Sequence, residues 1–309
     1  MSDPARLVVI LGPTASGKSA LAIGLAERLG GEVLVCDSTQ LYRHFDIGTA
    51  KVPRPLQRGV PHHLIDLAEP AELFTAGEYR RRTIEVLDAV HRRGRLPILT
   101  AGTGLYLRAL LEGLSDAPAR SEELRERFRE KARRRGPEYL HRLLARLDRA
   151  AASRIAPRDT QKIIRALEIR LLAGKSLEEV HRAGRTALEG YEVSKIGLLP
   201  ARAALYAKID ARVAQMIESG WIEEVRGLIA AGVPATAKPF QFIGYSELRQ
   251  HIEGRLTADA AVRQIQRVTR NFAKRQITWF RKEPGVHWLP AFGDAPEALA
   301  SSLRIVPSG

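Results

Sequence analysis

Residues 11 to 20 read LGPTASGKSA, and Gly12, Gly17, Lys18 and Ser19 within them satisfy G-x-x-x-x-G-K-[ST]. In such a loop the glycines let backbone N–H groups turn onto phosphate oxygens. Lys18 adds a mobile positive charge, and the Ser19 hydroxyl can join a Mg²⁺ shell at the start of a helix. Thr14, Ala15 and Ser16 complete the turn that would wrap the anion. The loop suits at least two linked phosphates but does not name the molecule that carries them, so ATP, GTP and other diphosphate esters stay open.

Other reactive groups fall at matching places. Asp37, in CDSTQLYRHFDIGTAK, directly follows an apolar run. A carboxylate there can bind Mg²⁺ through water, as in a small-molecule kinase, or take a proton from an incoming nucleophile. Thr103, in AGTGLYL, is expected on the same rim, where its hydroxyl can donate to a bridging or leaving oxygen or cap the next helix. Arg202, Lys208 and Arg212 follow a later apolar run on an expected helix, and arginines so placed can clamp a phosphate chain. His62 and His63 have no third ligand at metal spacing, and a hydrogen-bonding role is expected for them.

These groups need a scaffold. Strands are predicted at Leu7 to Leu11, Glu32 to Cys36, Leu96 to Thr100 and Lys195 to Leu199, with helical patterns between them, the first over residues 18 to 29. This alternation predicts an α/β fold with a P-loop NTPase-like parallel sheet, whose strand carboxyl ends surround the ligand crevice. Strand patterns vanish from Arg120 to Arg185. Ser121 can cap one helix, Arg-Gly-Pro at 135 to 137 breaks it before a second, and Asp159 can cap a third with Ile163, Ile164, Leu167 and Leu171 on one face. We therefore expect a core domain of residues 1–119 and 190–309, with an all-helical insertion at 120–189. Beyond the strand near 195 the pattern is helical to the end. The last helix, about residues 257 to 283, shows Ile265, Val268, Phe272 and Trp279 as a core stripe. Arg263, Arg267, Arg270, Lys274 and Arg281 form a second, basic ridge.

Charge narrows the partner. The formal net charge is +14, and residues 120 to 185 alone hold 19 Lys+Arg against 10 Asp+Glu. A basic excess of this size favours a polyanion through counterion release. A single cysteine, Cys36, excludes an internal disulfide and a Cys-based zinc site, fits a reducing cytoplasm and reads as a core residue. No apolar run is long enough to span a bilayer, and the stretch before the loop is too short for a signal peptide. A cytoplasmic monomer is expected.

Read together, the motifs GPTASGKS, DSTQLYRHFDIGTAK, HHLID, GTGLYLRALLEGLSDAP, DTQKIIRALEI, GLLPAR and TRNFAKRQITWFR resemble those of the bacterial tRNA dimethylallyltransferases, in family order from residue 12 to 281. DIGTAK and FAKRQITWF are far more specific than a phosphate loop. The resemblance implies that the loop grips dimethylallyl diphosphate with Mg²⁺ while N6 of adenine 37 in the tRNA anticodon loop attacks the prenyl carbon. It implies Asp37 as general base, Thr103 as an active-site threonine, and Arg212, with Arg202 as alternative, as the pyrophosphate clamp. It also implies tRNA contacts from Asp37, Ser38, Thr39 and Gln40 and from Gln161, Lys162, Ile163, Ile164 and Arg165, with Lys274 and Arg275 contacting the RNA backbone. Ala101 replaces a usual glycine, Ser19 a threonine and Lys162 an arginine; none removes a required function. The competing readings are a free-nucleotide isopentenyltransferase and an ATP-dependent kinase, which leave the basic segments without a use.

Overall fold

Strand β1 (Ala5–Leu11) buries Leu7 through Leu11 almost completely, as consecutive apolar residues require when both faces of a parallel sheet are covered. The computed structural model describes residues 4–115, 117–182 and 184–306. From β1 the chain runs through α1 (Lys18–Leu29), β2 (Gly31–Cys36), β3 (His62–His63), α2 (Ala76–Arg92), β4 (Leu96–Ala101) and α3 (Gly104–Leu111). Five helices follow: α4 (Glu122–Arg135), α5 (Pro137–Leu147), α6 (Arg149–Arg154), α7 (Thr160–Ala173) and α8 (Leu177–Arg182). The chain then returns through β5 (Tyr191–Leu198), α9 (Arg202–Glu218), α10 (Trp221–Ala230), α11 (Tyr245–Ile252), α12 (Ala258–Phe280), β6 (Val286–Leu289) and α13 (Pro296–Ile305).

The strands form one six-stranded parallel sheet in the order β3-β2-β4-β1-β5-β6. Three of them match the strands predicted from sequence to within two residues, and β5 overlaps the fourth prediction but starts four residues earlier, at Tyr191. The other two are edges that pattern did not reveal: β3 is two residues long, and β6 interrupts the expected helical run to the C-terminus. Contacts divide the chain into two units, Met1–Leu110 with Glu189–Gly309, and Leu111–Leu188.

Local chemistry explains the helix ends. Gly30, at φ 64, closes α1, and Thr75 and Glu78 form a reciprocal capping box on α2. In the second unit Ser121 accepts from the Leu124 N–H, Pro137 opens α5, and Asp159 accepts from the Lys162 N–H. Its core gathers Phe128, Leu140, Leu144, Ile163, Ile164 and Leu167. Leu171, expected on the same buried face, is 51% exposed because it lies one turn past that cluster. In α12 the buried residues are Ala261, Ile265, Ala273, Gln276 and Phe280. Val268, Phe272 and Trp279 are only half-buried, so the packed face is rotated from the expected stripe toward small residues and one glutamine.

Candidate active site

Sheet register sets the geometry. Leu11 and Cys36 both pair with Ala101, so β1, β2 and β4 end level and release residues 12, 37 and 102 side by side at their carboxyl ends. The loop after β1 depends on its glycines: a Cβ on Gly12 would sit 2.8 Å from the Leu198 carbonyl, and one on Gly17, at φ 88, would sit 2.7 Å from the Gly293 nitrogen. Ala15 takes a left-handed φ of 61 without being glycine. Gly17 caps α1 with no side-chain hydrogen bond, so the helix itself leaves its first N–H groups unsatisfied, Lys18 and Ser19 included. Lys18 Nζ folds back onto the Gly12 and Pro13 carbonyls at 2.9 and 2.8 Å. Burial lowers its pKa to about 8, against the attraction of Asp37 and with added repulsion from Arg212.

Asp37 and Thr103 face each other across the rim. Asp37 Oδ1 accepts from the Thr39 N–H at 2.9 Å and the Thr39 hydroxyl at 2.7 Å. Its Oδ2 lies over Gly102, 2.5 Å from where a Cβ would stand, so a larger residue there would push the carboxylate aside. One oxygen is thus anchored, and among the described residues the other has no hydrogen-bond donor. The Thr103 hydroxyl accepts from the Ser38 N–H at 3.0 Å and donates to the Ser38 hydroxyl at 3.2 Å. It ties the ends of β2 and β4 together and does not cap α3. Gln40 Nε2 donates to the Thr49 carbonyl at 3.1 Å, closing the 37–51 segment on itself.

That segment is braced from outside. Glu224 Oε2 accepts the Asp46 and Ile47 N–H groups at 3.0 and 2.8 Å while its Oε1 accepts from the Tyr245 hydroxyl at 2.6 Å. A Cβ on Gly48 would overlap the Trp221 ring, which explains the glycine of DIGTAK. The Lys51 ammonium donates to the Tyr42 carbonyl, Asp46 and Asp66. His63 Nε2 meets Glu32 at 2.6 Å and His62 Nδ1 meets the Val60 carbonyl at 2.9 Å.

Of the two arginines considered as a clamp, Arg212 reaches the loop, its Nη1 lying 3.4 Å from Thr14 Oγ1. Burial lowers its pKa from the ordinary guanidinium value, with Asp37 opposing. Arg202 is exposed and turned onto Tyr206 of its own helix. Gln276, which sequence pattern did not single out, accepts the Thr14 N–H at 2.7 Å and donates to the Gly102 carbonyl at 2.8 Å.

The cations are unequal. On α4, Arg129, Arg133 and Arg134 pair with Glu122, Glu126 and Glu130. On α7, Lys162 pairs with Asp159, and Arg165 binds the fully buried Glu168 and the Pro118 carbonyl. Ile163 and Ile164 are core residues of the second unit, whereas Gln161 and Lys162 are exposed and Arg165 is partly so. On α12, Arg270 pairs with Asp210 and leaves the basic ridge. Asn271, Lys274, Arg275, Thr278, Trp279 and Lys282 line a depression of about 440 Å³ on the same helix.

Among the described residues no group of three or more His, Cys, Asp or Glu side chains could hold a metal. A Mg²⁺ would therefore have to share its shell with a phosphate ligand. The donors at hand fit that use: the Ser19 hydroxyl, Asp37, and the Ser16 hydroxyl, which is buried without a hydrogen-bond partner.

Known proteins are similar to this chain in sequence and fold. Residues 40–283 match the family model described as IPP transferase. A protein from Solibacter usitatus (strain Ellin6076) named tRNA dimethylallyltransferase is 52% identical over 96% of both chains. The crystal structure of a full-length tRNA isopentenylpyrophosphate transferase from Bacillus halodurans is 37% identical, with a TM-score of 0.71 over 97% of this chain and 94% of that one. A eukaryotic dimethylallyltransferase described as acting on tRNA is 26% identical, with a TM-score of 0.82 over 97% of this chain and 78% of that one. The phosphate loop lies outside the matched family segment but inside these longer alignments. With the family model covering most of its length and so close a relative matched over nearly all of it, this chain belongs to the IPP transferase family.

Proposed function

We propose that the chain transfers a dimethylallyl group from dimethylallyl diphosphate to N6 of adenine 37 in the tRNA anticodon loop, releasing pyrophosphate. The adenine amine attacks the prenyl C1, the bond from C1 to the bridging oxygen breaks, and the proton leaving N6 passes to Asp37 Oδ2. Lys18, Arg212 and the first N–H groups of α1 take up the charge on the departing diphosphate. Mg²⁺, held by the diphosphate together with Ser19, would neutralise part of the same charge. Thr103 and Ser38 hold the rim against which the flipped base would lie. On α12, Lys274 and Arg275 would meet the RNA backbone. Gln161 and Lys162 would do so from the insertion.

The observation that carries this reading is the division of labour in Asp37, where one oxygen is fixed by Thr39 and the other is free beside Gly102. An oxygen so placed can take the proton that an attacking amine must shed. The test incubates the protein and Mg²⁺ with labelled dimethylallyl diphosphate and either unmodified tRNA or AMP, then identifies the labelled nucleoside. Label on N6 of an anticodon-loop adenine with none on AMP is expected, and D37N should slow single-turnover transfer by about 10²- to 10⁴-fold with both substrates bound. Label on AMP alone, or a D37N rate equal to wild type, would refute the reading.

A further inference from the structure

Gln276 is an amide in the packed face of an otherwise apolar helix interior, 6% exposed. Both ends of it are used: Oε1 takes the Thr14 N–H and Nε2 gives to the Gly102 carbonyl. A backbone N–H requires an acceptor and a carbonyl requires a donor, so one amide orientation alone satisfies both. Thr14 belongs to the phosphate loop. Gly102 lies under Asp37 Oδ2 and precedes Thr103. A single side chain therefore spans the distance between the diphosphate site and the site of the proton acceptor.

The helix that carries it is held firmly at this level. A Cβ on Gly104 would overlap the Trp279 ring, so α3 and α12 approach there as closely as glycine permits. The Arg108 guanidinium lies 4.6 Å from the Trp279 centroid, and Ala273 and Phe280 are fully buried on either side of Gln276. Gln276 thus projects from a fixed base.

We propose that Gln276 is a positioning residue for prenyl transfer: it fixes the phosphate loop at Thr14 against the Gly102-Thr103 turn, so that C1 of the bound donor stays in line with the amine above Asp37. The inference rests on the prenyltransferase reading of this site. A brace for the phosphate loop alone would be felt in diphosphate affinity. One that sets the separation of two half-sites is felt in the rate once both substrates are bound.

Two variants separate these cases. Q276M keeps the volume and loses both hydrogen bonds. Single-turnover transfer from dimethylallyl diphosphate to unmodified tRNA should slow by about 10- to 100-fold, while the Kd of each substrate changes by less than about threefold. Q276E restores both bonds when its carboxyl is protonated; when ionised it sets a charged oxygen against the Gly102 carbonyl, with Asp37 beside Gly102 and Arg212 beside Thr14 as charged neighbours. Its rate relative to wild type should therefore fall by about tenfold as pH rises from about 5.5 to about 8. A Q276M rate equal to wild type, or a loss that vanishes at saturating diphosphate, would overturn the proposal. Should Q276M not fold, a pH-independent Q276E ratio overturns it by itself. A wild-type protein that transfers nothing to tRNA would instead bring down the reading of the site, and this inference with it.

Discussion

Binding of a diphosphate should draw a proton into the phosphate loop. Among the described residues the Lys18 ammonium donates to the Gly12 and Pro13 carbonyls alone, and burial brings its pKa down to about 8. A bound diphosphate sets several negative charges beside it and returns the pKa to well above the working range. At about pH 8, half of the free molecules hold Lys18 neutral, so binding should take up about 0.5 proton. The uptake should be about 0.1 at pH 7 and about 0.9 at pH 9. Titration calorimetry in buffers of different ionisation enthalpy reads this number as the slope of observed against buffer enthalpy. Dimethylallyl diphosphate is fully ionised at the upper two pH values, so the proton enters the protein, and K18M should abolish the slope. Slopes of zero at pH 8 and 9, or a slope that K18M leaves intact, would refute the argument. Stability carries the same sign. The unfolded chain keeps this lysine protonated to about pH 10.5 and the folded chain only to about 8. The unfolded state therefore binds more protons between those values, and the unliganded protein should gain stability as pH rises through that window.

Two further perturbations test the scaffold. Burial tends to raise the pKa of Glu168, but hydrogen bonds from Arg125, Arg165 and the Ser121 N–H outweigh it and hold the carboxyl at about 2. E168Q would leave two arginines without their anion, and an earlier urea transition, by about 3–5 kcal/mol, is expected. In wild type this contribution should be complete above about pH 4.5 and fade as pH falls toward 2. E224A removes the acceptor for the Asp46 and Ile47 N–H groups. It should cost about 1–3 kcal/mol in chemical denaturation and speed amide exchange at Ile47, and wild-type exchange there would show that the brace does not hold the segment.

What the sequence made legible was local. The phosphate loop, the caps at Ser121 and Asp159 and the four inner strands are written in neighbouring residues, and the strand ends place Asp37 and Gly102 beside the loop. What stayed hidden depends on partners far along the chain. Gln276 reads as one more polar residue between two helical stripes; its value comes from Thr14 and Gly102, more than 170 residues away. Edge strand β6 follows a long helix with only four residues of pattern. Net charge misleads in the same way, because a count cannot say which cations are already answered. The Glu122, Glu126 and Glu130 series neutralises much of α4 within its own helix, a pattern that spacing of three, four and seven could have shown. Among the described residues no carboxylate pairs with Lys274 or Arg275 of α12, or with Lys282 just beyond it. Counterion release depends on cations that can reach phosphates, and the face of α12 that lines the basic depression holds cations with no carboxylate partner among the described residues. Gln276 extends from the buried side of that helix to the phosphate loop, so the unpaired cations and the amide that holds Thr14 belong to one helix.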